Sequence, residues 1–342
     1  MAQKKVAVVG GGIAGMEVAS QLDYLGHSVV LLEKEKELGG HVRDWFQLFP
    51  DRRPGSEVLD HLKTKMQNSK VAVKTSAEII DIDLKAKRIG LLDHQSGMYE
   101  VDAIVLASGF DLFDARLKEE YGYGIYKNVI TSVELEEIFK SDNHLNPLGK
   151  TPKRIGFVHC VGSRDEKCNN NHCSKVCCVT AVKQAIELRM LYPEAEIICY
   201  YMDMRMFGLN YEEMYRESQE AYGIKYIRGR VSEAAENIDS SIQIKVEDTL
   251  SGRPLKMNVD LLVLLIGMLP SKGTNNLGEK LGLNFEKNGF IMGKDSHFQS
   301  NLTNEDGIFI AGTSGGPMNI SDTISHARAA ALEVDQFLKH KN

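Results

Sequence analysis

The sequence predicts an α/β chain of two parallel-sheet domains, the second inserted in the first. Three observations predict it. A strand, a glycine-rich turn, a helix and a second strand open the chain between Val6 and Glu33. Another strand, Arg154 to His159, opens a second unit of the same kind. A strand, a glycine-rich loop and a helix, Gly307 to Leu338, close the chain in a form that completes the first unit. The expected domains are therefore residues 1–145 with 290–342, and residues 150–289. The Asn-, Pro- and Gly-containing stretch Asp142–Thr151 is expected to connect them. At 342 residues the chain is long enough for both.

The opening unit is the most detailed. Val6 to Val9 reads as a buried strand. Gly10, Gly12 and Gly15 follow as G-x-G-x-x-G, then an amphipathic helix to about Leu25, then the strand Ser28–Leu32 ending at Glu33. That order is a dinucleotide-binding, Rossmann-like fold. The first glycine permits a tight turn, the second lets backbone approach a pyrophosphate, and the third lets helix and strand pack closely. The helix N-terminus faces the phosphates. Glu33, 23 residues after Gly10, is placed to bind an adenosine ribose, with Lys34 beside it.

The motif alone does not separate FAD from NAD. Three further segments favour FAD. Gly39-Gly40 would let a second stretch of backbone approach the cofactor, with His41 next to it. Ala103 to Gly109 is a strand ending in the turn Ala107-Ser108-Gly109. Gly307 to Thr313 is a strand ending at Gly312, followed by a glycine-rich loop, Ile320 and a helix from about Ser321 to Leu338. The N-terminus of that helix would stabilise negative charge on a reduced flavin. His41 is either near the isoalloxazine or a partly exposed loop histidine. Trp45, Phe46, Phe49 and Pro50 are expected to pack a loop rather than cover a flavin, and His326 to be a satisfied histidine at a helix interface. Together these segments resemble the flavoproteins with two dinucleotide-binding domains, from thioredoxin reductase to the pyridine nucleotide-disulfide reductases. Most members carry aspartate after the late glycine, where it binds the ribityl chain; Thr313 stands there in this chain.

In the second unit the strand 154–159 is followed by Cys160-Val161-Gly162-Ser163-Arg164-Asp165, with one glycine where a nucleotide turn would have three. Ordinary NAD(P)H binding is not expected there. Cysteines stand in its place: five of the six in the chain fall between Cys160 and Cys178, at Cys160, Cys168, Cys173, Cys177 and Cys178. Thiolates are ligands for iron–sulfur clusters, zinc or copper(I), and thiols also make disulfides. Zinc knuckles of the C-x₂-C kind and the ferredoxin run C-x₂-C-x₂-C are both missing, so spacing leaves the choice open. Cys173 and Cys177 would share a face of a helix, with Cys178 about 100° round from them. All four thiols meet one group only if the backbone near Cys177 is irregular or the helix begins there. The helix is expected to run to Leu191, stopped by Pro193, with Val182, Ile186 and Met190 on its core face. Later strands are expected at Glu196–Tyr201, Ile224–Ile227, Ile242–Val246 and Val259–Ile266, and a helix at Asn210–Tyr222 stopped by Gly223. Cys168 is either a spare ligand candidate or a free loop thiol, and Cys199 reads as a core cysteine.

Composition narrows the class. A net charge of −6 offers no basic surplus for nucleic acid or anionic lipid. The longest apolar run, Leu261 to Met268, is too short to span a bilayer. With no signal-peptide pattern at Met1–Lys5, the chain is expected to be cytoplasmic, where thiols stay reduced. Arg52-Arg53 reads as a solvated pair rather than a docking site.

Several segments together are more specific. Gly11-Gly12-Ile13-Ala14-Gly15, Leu38-Gly39-Gly40-His41, Cys160-Val161-Gly162-Ser163-Arg164, Cys173-Ser174-Lys175-Val176-Cys177-Cys178, Met202-Asp203-Met204-Arg205 and Tyr226-Ile227-Arg228-Gly229-Arg230 resemble the flavoprotein A subunit of heterodisulfide reductase over almost the whole chain. The resemblance implies one FAD and a [4Fe–4S] cluster whose ligands map to Cys160, Cys173, Cys177 and Cys178. Asp203 and Arg205 match one of its motifs without an assigned ligand; a structural ion pair or a domain contact is expected. Methanogen-type A subunits add ferredoxin-like segments, and this chain resembles the short form of the heterodisulfide-reductase-like complexes of sulfur oxidisers. The implied partners are B- and C-type subunits and small electron or sulfur carriers, with a homodimer as a candidate state. The residues leave two other readings: a self-contained FAD-dependent NAD(P)H or disulfide oxidoreductase using a cysteine pair, and a non-catalytic scaffold.

Overall fold

A computed structural model of the chain describes residues 3–83, 88–92, 98–141, 149 and 151–340. It forms two compact units. The first comprises residues 1–43, 56–111 and 269–342, the second residues 44–55 and 112–268.

The first unit is built on a five-stranded parallel sheet in the order Ile308–Ile310, Ala103–Leu106, Lys5–Val9, Ser28–Leu32, Ala72–Lys74. After their first residues Lys5 and Ser28, the three inner strands are runs of Val, Ile, Leu and Ala, the composition needed where both faces are covered. Helices Ile13–Tyr24 and Ile320–His340 pack together. They share a buried charge: Glu17, with its side chain 1 % exposed, meets Lys65 and Arg328 at 2.6 Å each. A second, antiparallel sheet joins Glu78–Asp83, Arg88–Leu92 and Met98–Glu100.

The second unit has its own five-stranded parallel sheet, in the order Val129–Thr131, Leu261–Ile266, Arg154–Val161, Glu196–Tyr201, Lys225–Arg228. An antiparallel meander, Val231–Glu236, Ile242–Asp248 and Arg253–Val259, adjoins it in sequence. Val259 therefore ends an antiparallel strand instead of opening the parallel one. Asp260 makes the break, its carboxylate accepting from the backbone N–H groups of Lys153 (2.8 Å) and Arg154 (2.9 Å).

The expected boundaries near residues 145–150 and 289–290 are displaced. Val129–Thr131 hydrogen-bonds to Leu261–Ile266 and so belongs to the second sheet. Leu277, Leu281 and Leu283 bury against Ile104, Ile308 and Ile310 and so belong to the first core. The expected connection at 142–151 lies almost wholly outside the described residues. The short excursion 44–55 had no sequence signal as a piece of the second unit. There Phe46 packs on Phe139 and Phe49 sets its edge on Tyr211, as packing residues. Arg52 reaches Glu217 at 3.8 Å and lies over Tyr222.

The helix Cys177–Leu191 is buried nearly all round from Cys177 to Leu188 and then emerges, so Val182 and Ile186 are core but Met190 is 61 % exposed. Its buried lysine is paired. Lys183 Nζ meets Glu136 Oε1 at 2.6 Å and Glu187 Oε2 at 3.3 Å, and donates to the Gln47 carbonyl at 2.9 Å. Glu136 also accepts from Phe46 N–H, so one buried cation ties the excursion to the unit. Burial pushes the Glu187 carboxyl up to about 8, against the pull of Lys183.

Two predictions follow from this network. Lys183→Ala should cost about 3–5 kcal/mol in urea unfolding, because it strands two buried carboxyls. The stability tied to the Glu187 proton is fully present below the ordinary value of 4.5 and is lost as pH rises through about 8. Glu187→Gln should remove that slope and unfold at higher urea than wild type at the alkaline end of the window.

Candidate functional site

In the first unit the glycine turn is shaped by close approach. Gly10 has φ +105°, and a Cβ there would sit 2.4 Å from the Ala107 carbonyl oxygen. A Cβ on Gly15 would sit 1.8 Å from the Gly10 carbonyl. Gly12 differs. It caps the helix Ile13–Tyr24 with φ −71° and no side-chain cap, and a Cβ there would meet nothing nearer than Gly40 Cα at 4.0 Å. The uncapped N–H groups of that first turn therefore border a space floored by Gly12 and Gly40, suited to a diphosphate. Glu33 is buried, with Oε2 accepting from Gly11 N–H and Oε1 from Glu35 N–H at 2.8 Å. It pins the turn, a role its sequence position did not signal. Lys34 is exposed.

The other expected cofactor residues also fall in this unit. Gly39 (φ +127°) and Gly40 (φ +55°) form the second glycine turn. His41 donates from Nε2 to the Phe110 carbonyl at 2.9 Å, and its ring lies on Phe110 at 4.4 Å. Ala107 is buried, Ser108 Oγ bonds Thr274 Oγ1, and Gly109 (φ +77°) faces Thr313, whose Oγ1 is 4.0 Å from a Cβ built there. Gly312 N–H donates to His326 Nδ1 at 3.0 Å. His326 is thus an interface histidine that also holds the late glycine turn, and burial lowers its pKa. Ile320 is the first residue of the closing helix, half-buried.

In the second unit the strand Arg154–Val161 and the helix Cys177–Leu191 are joined by residues 162–176, where a short nucleotide turn would otherwise run. That crossover is stitched throughout. Arg164 N–H donates to His172 O and Asp165 N–H to Asn170 O; Ser163 and Ser174 share a buried hydroxyl bond. Asp165, 2 % exposed, meets Lys118 at 2.7 Å and Arg230 at 2.6 Å. Arg164 Nη2 meets Asp203 Oδ2 at 2.7 Å, and Arg228 meets Asp203 Oδ1 at 3.4 Å. Asp203 is therefore a structural ion-pair residue, as expected.

The helix begins at Cys177, one of the two geometries that would let the thiols meet. Cys160, with φ +59°, lies in hydrogen-bond contact with Cys177, and Cys177 with Cys178. All three are buried and all six cysteines of the chain are free thiols. Within the trio, the contacts from Cys160 and Cys178 and then burial push the Cys177 thiol well up. The Cys177 contact, and after it His159, hold the Cys178 thiol down against its burial. Cys173 precedes the helix rather than lying on it, and its Sγ accepts from Lys175 N–H at 3.3 Å. Arg164 lies within electrostatic reach of both Cys160 and Cys173. The donor set suits a polynuclear thiolate-ligated group: soft sulfurs, a buried site, and an uncapped helix N-terminus that favours negative charge. Among the described residues no three His, Cys, Asp or Glu side chains close around one metal ion. Cys168 is half-buried beside Asp165, and burial followed by Asp165 raises its pKa. Cys199 is a core residue of the strand Glu196–Tyr201.

Residues 4–331 match the family described as pyridine nucleotide-disulphide oxidoreductase. The chain belongs to that family. It is thus a member of a flavoprotein oxidoreductase family. Among curated proteins it is 30 % identical, over 96 % of its length, to the A subunit of the H(2):CoB-CoM heterodisulfide,ferredoxin reductase of Methanothermobacter thermautotrophicus. It is 31 % identical, over 97 % of its length, to the iron-sulfur A subunit of the CoB--CoM heterodisulfide reductase of Methanocaldococcus jannaschii. It spans 63 % and 64 % of those relatives. Among solved structures, thioredoxin reductase from T. acidophilum is 18 % identical with a TM-score of 0.67, covering 98 % of this chain and 99 % of its own. Lactococcus lactis thioredoxin reductase is 15 % identical with a TM-score of 0.69, covering 99 % and 100 %. These two likenesses bear on the fold. Among the described residues no helix is long and apolar enough to cross a membrane.

The glycine geometry separates two substitutions. Gly12→Ala suits its φ and meets open space, so it should keep the urea midpoint while weakening flavin binding roughly tenfold, the scale of about 1.4 kcal/mol. Gly15→Ala should lose both stability and flavin. Flavin absorbance per folded chain reads the difference.

Proposed function

We propose that the chain is an electron-transfer flavoprotein subunit of a heterodisulfide-reductase-like complex, carrying FAD in the first unit and a [4Fe–4S] cluster in the second. The observation that carries this reading is the meeting of Cys160, Cys177 and Cys178 at the start of one buried helix, where a second nucleotide turn would stand. In this reading Gly10, Gly12, Gly15, Glu33, Lys34, Gly39, Gly40, His41, Ala107, Ser108, Gly109, Gly312, Thr313 and Ile320 hold FAD. Cys160, Cys173, Cys177 and Cys178 hold the cluster. When bound, the flavin exchanges electrons in pairs or singly and the cluster singly, so the protein would pass electrons between a thiol/disulfide reaction on partners and one-electron carriers.

The chain's own residues bind, orient and shield. Gly12 and Gly40 leave room for the diphosphate, Glu33 holds the turn, and Thr313 faces the Gly109 turn. Cys160, Cys177 and Cys178 are buried, and Cys173 is half-buried in the crossover 162–176. The relatives' names, which speak of heterodisulfide reductase and of an iron-sulfur subunit, support the same class. B- and C-type subunits, small electron or sulfur carriers, a homodimer, a cytoplasmic setting and a role in sulfur oxidation complete the proposal.

Anaerobically purified protein should contain flavin together with iron and acid-labile sulfide. Cys177→Ala should lose iron and sulfide while keeping flavin. Retained cluster in that variant would refute the ligand assignment. Flavin without iron after reconstitution would favour the cysteine-pair oxidoreductase instead.

A further inference from the structure

Beside the thiols, buried polar atoms of two side chains make no hydrogen bond. His159 is 6 % exposed, and neither ring nitrogen reaches a hydrogen-bond partner at normal distance. Its ring lies against Cys178 and close to Cys160, with Tyr201 at 6.4 Å on another side. Arg164 spends Nη2 on Asp203, but its Nη1 is buried and unpartnered, within reach of Cys160 and Cys173. A buried polar group left unpaired costs about 1–3 kcal/mol. The His159 ring against Cys178, and the Arg164 guanidinium within electrostatic reach of Cys160 and Cys173, point to an acceptor among the thiols.

The backbone explains how His159 comes to be there. In a regular strand neighbouring residues face opposite ways. Here the register against Leu261–Ile266 shifts between Val158 and Val161, and Cys160 is left-handed. Such a bulge re-aims side chains, so both His159 and Cys160 approach the cysteines of the next helix. An apolar side chain at 159 would fill the same space without an unpaired donor.

We propose that His159 and Arg164 are positioning residues which donate hydrogen bonds to the sulfurs of the cluster held by the four cysteines, and so raise its reduction potential. The inference rests on the cluster reading above. Donors aimed at cluster or ligand sulfurs favour the more negative, reduced form. The imidazole supplies one N–H and Arg164 supplies Nη1–H. The remaining bonds of Arg164, to Asp203, hold its guanidinium in place.

The test is EPR-monitored redox titration of reconstituted full-length wild type, His159→Leu and His159→Gln, with pulsed EPR on the reduced cluster. Wild type should show a weak nitrogen coupling that disappears in His159→Leu. At the wild-type midpoint, His159→Leu should hold about tenfold less reduced relative to oxidised cluster, equivalent to about 59 mV for one electron. His159→Gln, which keeps an N–H donor, should recover part of the shift, and Arg164→Gln should move the midpoint in the same direction as His159→Leu. An unchanged midpoint in His159→Leu, or no nitrogen coupling in wild type, would overturn the inference while leaving the cluster intact. Loss of iron with flavin retained in both His159 variants would make His159 a ligand and overturn it too. Wild type that holds no iron or sulfide would remove the cluster reading itself. The wild-type pulsed EPR result decides the matter even if His159→Leu does not fold.

Discussion

The second unit depends on a break in one strand. Between Val158 and Val161 the ladder to Leu261–Ile266 slips, and Cys160 adopts φ +59°. A non-glycine residue there costs of order 1–3 kcal/mol, and Arg164, Asn169 and Lys175 repeat the conformation along the same crossover. The surroundings over-determine these turns. Asp165 is clamped between Lys118 and Arg230, Asp203 between Arg164 and Arg228, and the Ser174 hydroxyl accepts from Met268 N–H at 2.8 Å. Gly267 has no Cβ because one would lie 2.2 Å from Ser163 Oγ. Each of these contacts holds the crossover that delays the helix until Cys177, and that delay lets three thiols meet.

The two units solve one design in opposite ways. Both lay a helix after the first strand of a parallel sheet. In the first, glycines remove every Cβ from the turn, so backbone packs on backbone and helix N–H groups stay open to a ligand. In the second, the turn is lengthened and filled with side chains, and the helix N-terminus is given to thiols. The same partial positive charge stands at both helix starts, uncapped by any side chain, beside open backbone in one case and beside thiols in the other.

The charged segments of the second unit find their place in this scheme through geometry. Asp203, Arg228 and Arg230 lie far apart in sequence from Arg164 and Asp165, and their chemistry gave no hint of a ligand. In the structure they are the fasteners of the crossover. Lys183 performs the same office at the other end of the helix, where it fixes the excursion 44–55 through the Gln47 carbonyl.

Local pattern determined much of this protein. The parallel strands Lys5–Val9 and Ser28–Leu32 follow from apolar runs, the first helix from its glycine-led start, and the cofactor turn from Gly10, Gly12 and Gly15, because each of these is set by neighbours within a few residues. The cysteine spacing likewise set this segment apart, and only the resemblance implies that Cys160, Cys173, Cys177 and Cys178 are ligands. Tertiary structure alone decided the rest. Residues 112–141 and 44–55 joined the second unit because strand pairing and burial act over long sequence distances. Met190 left the core because burial stops at Leu188, which periodicity does not register. The meeting of Cys160 with Cys177 and Cys178, and the approach of His159 to them, required a bulge whose cost is met by ion pairs from four separate segments, and no single stretch of sequence contains that balance.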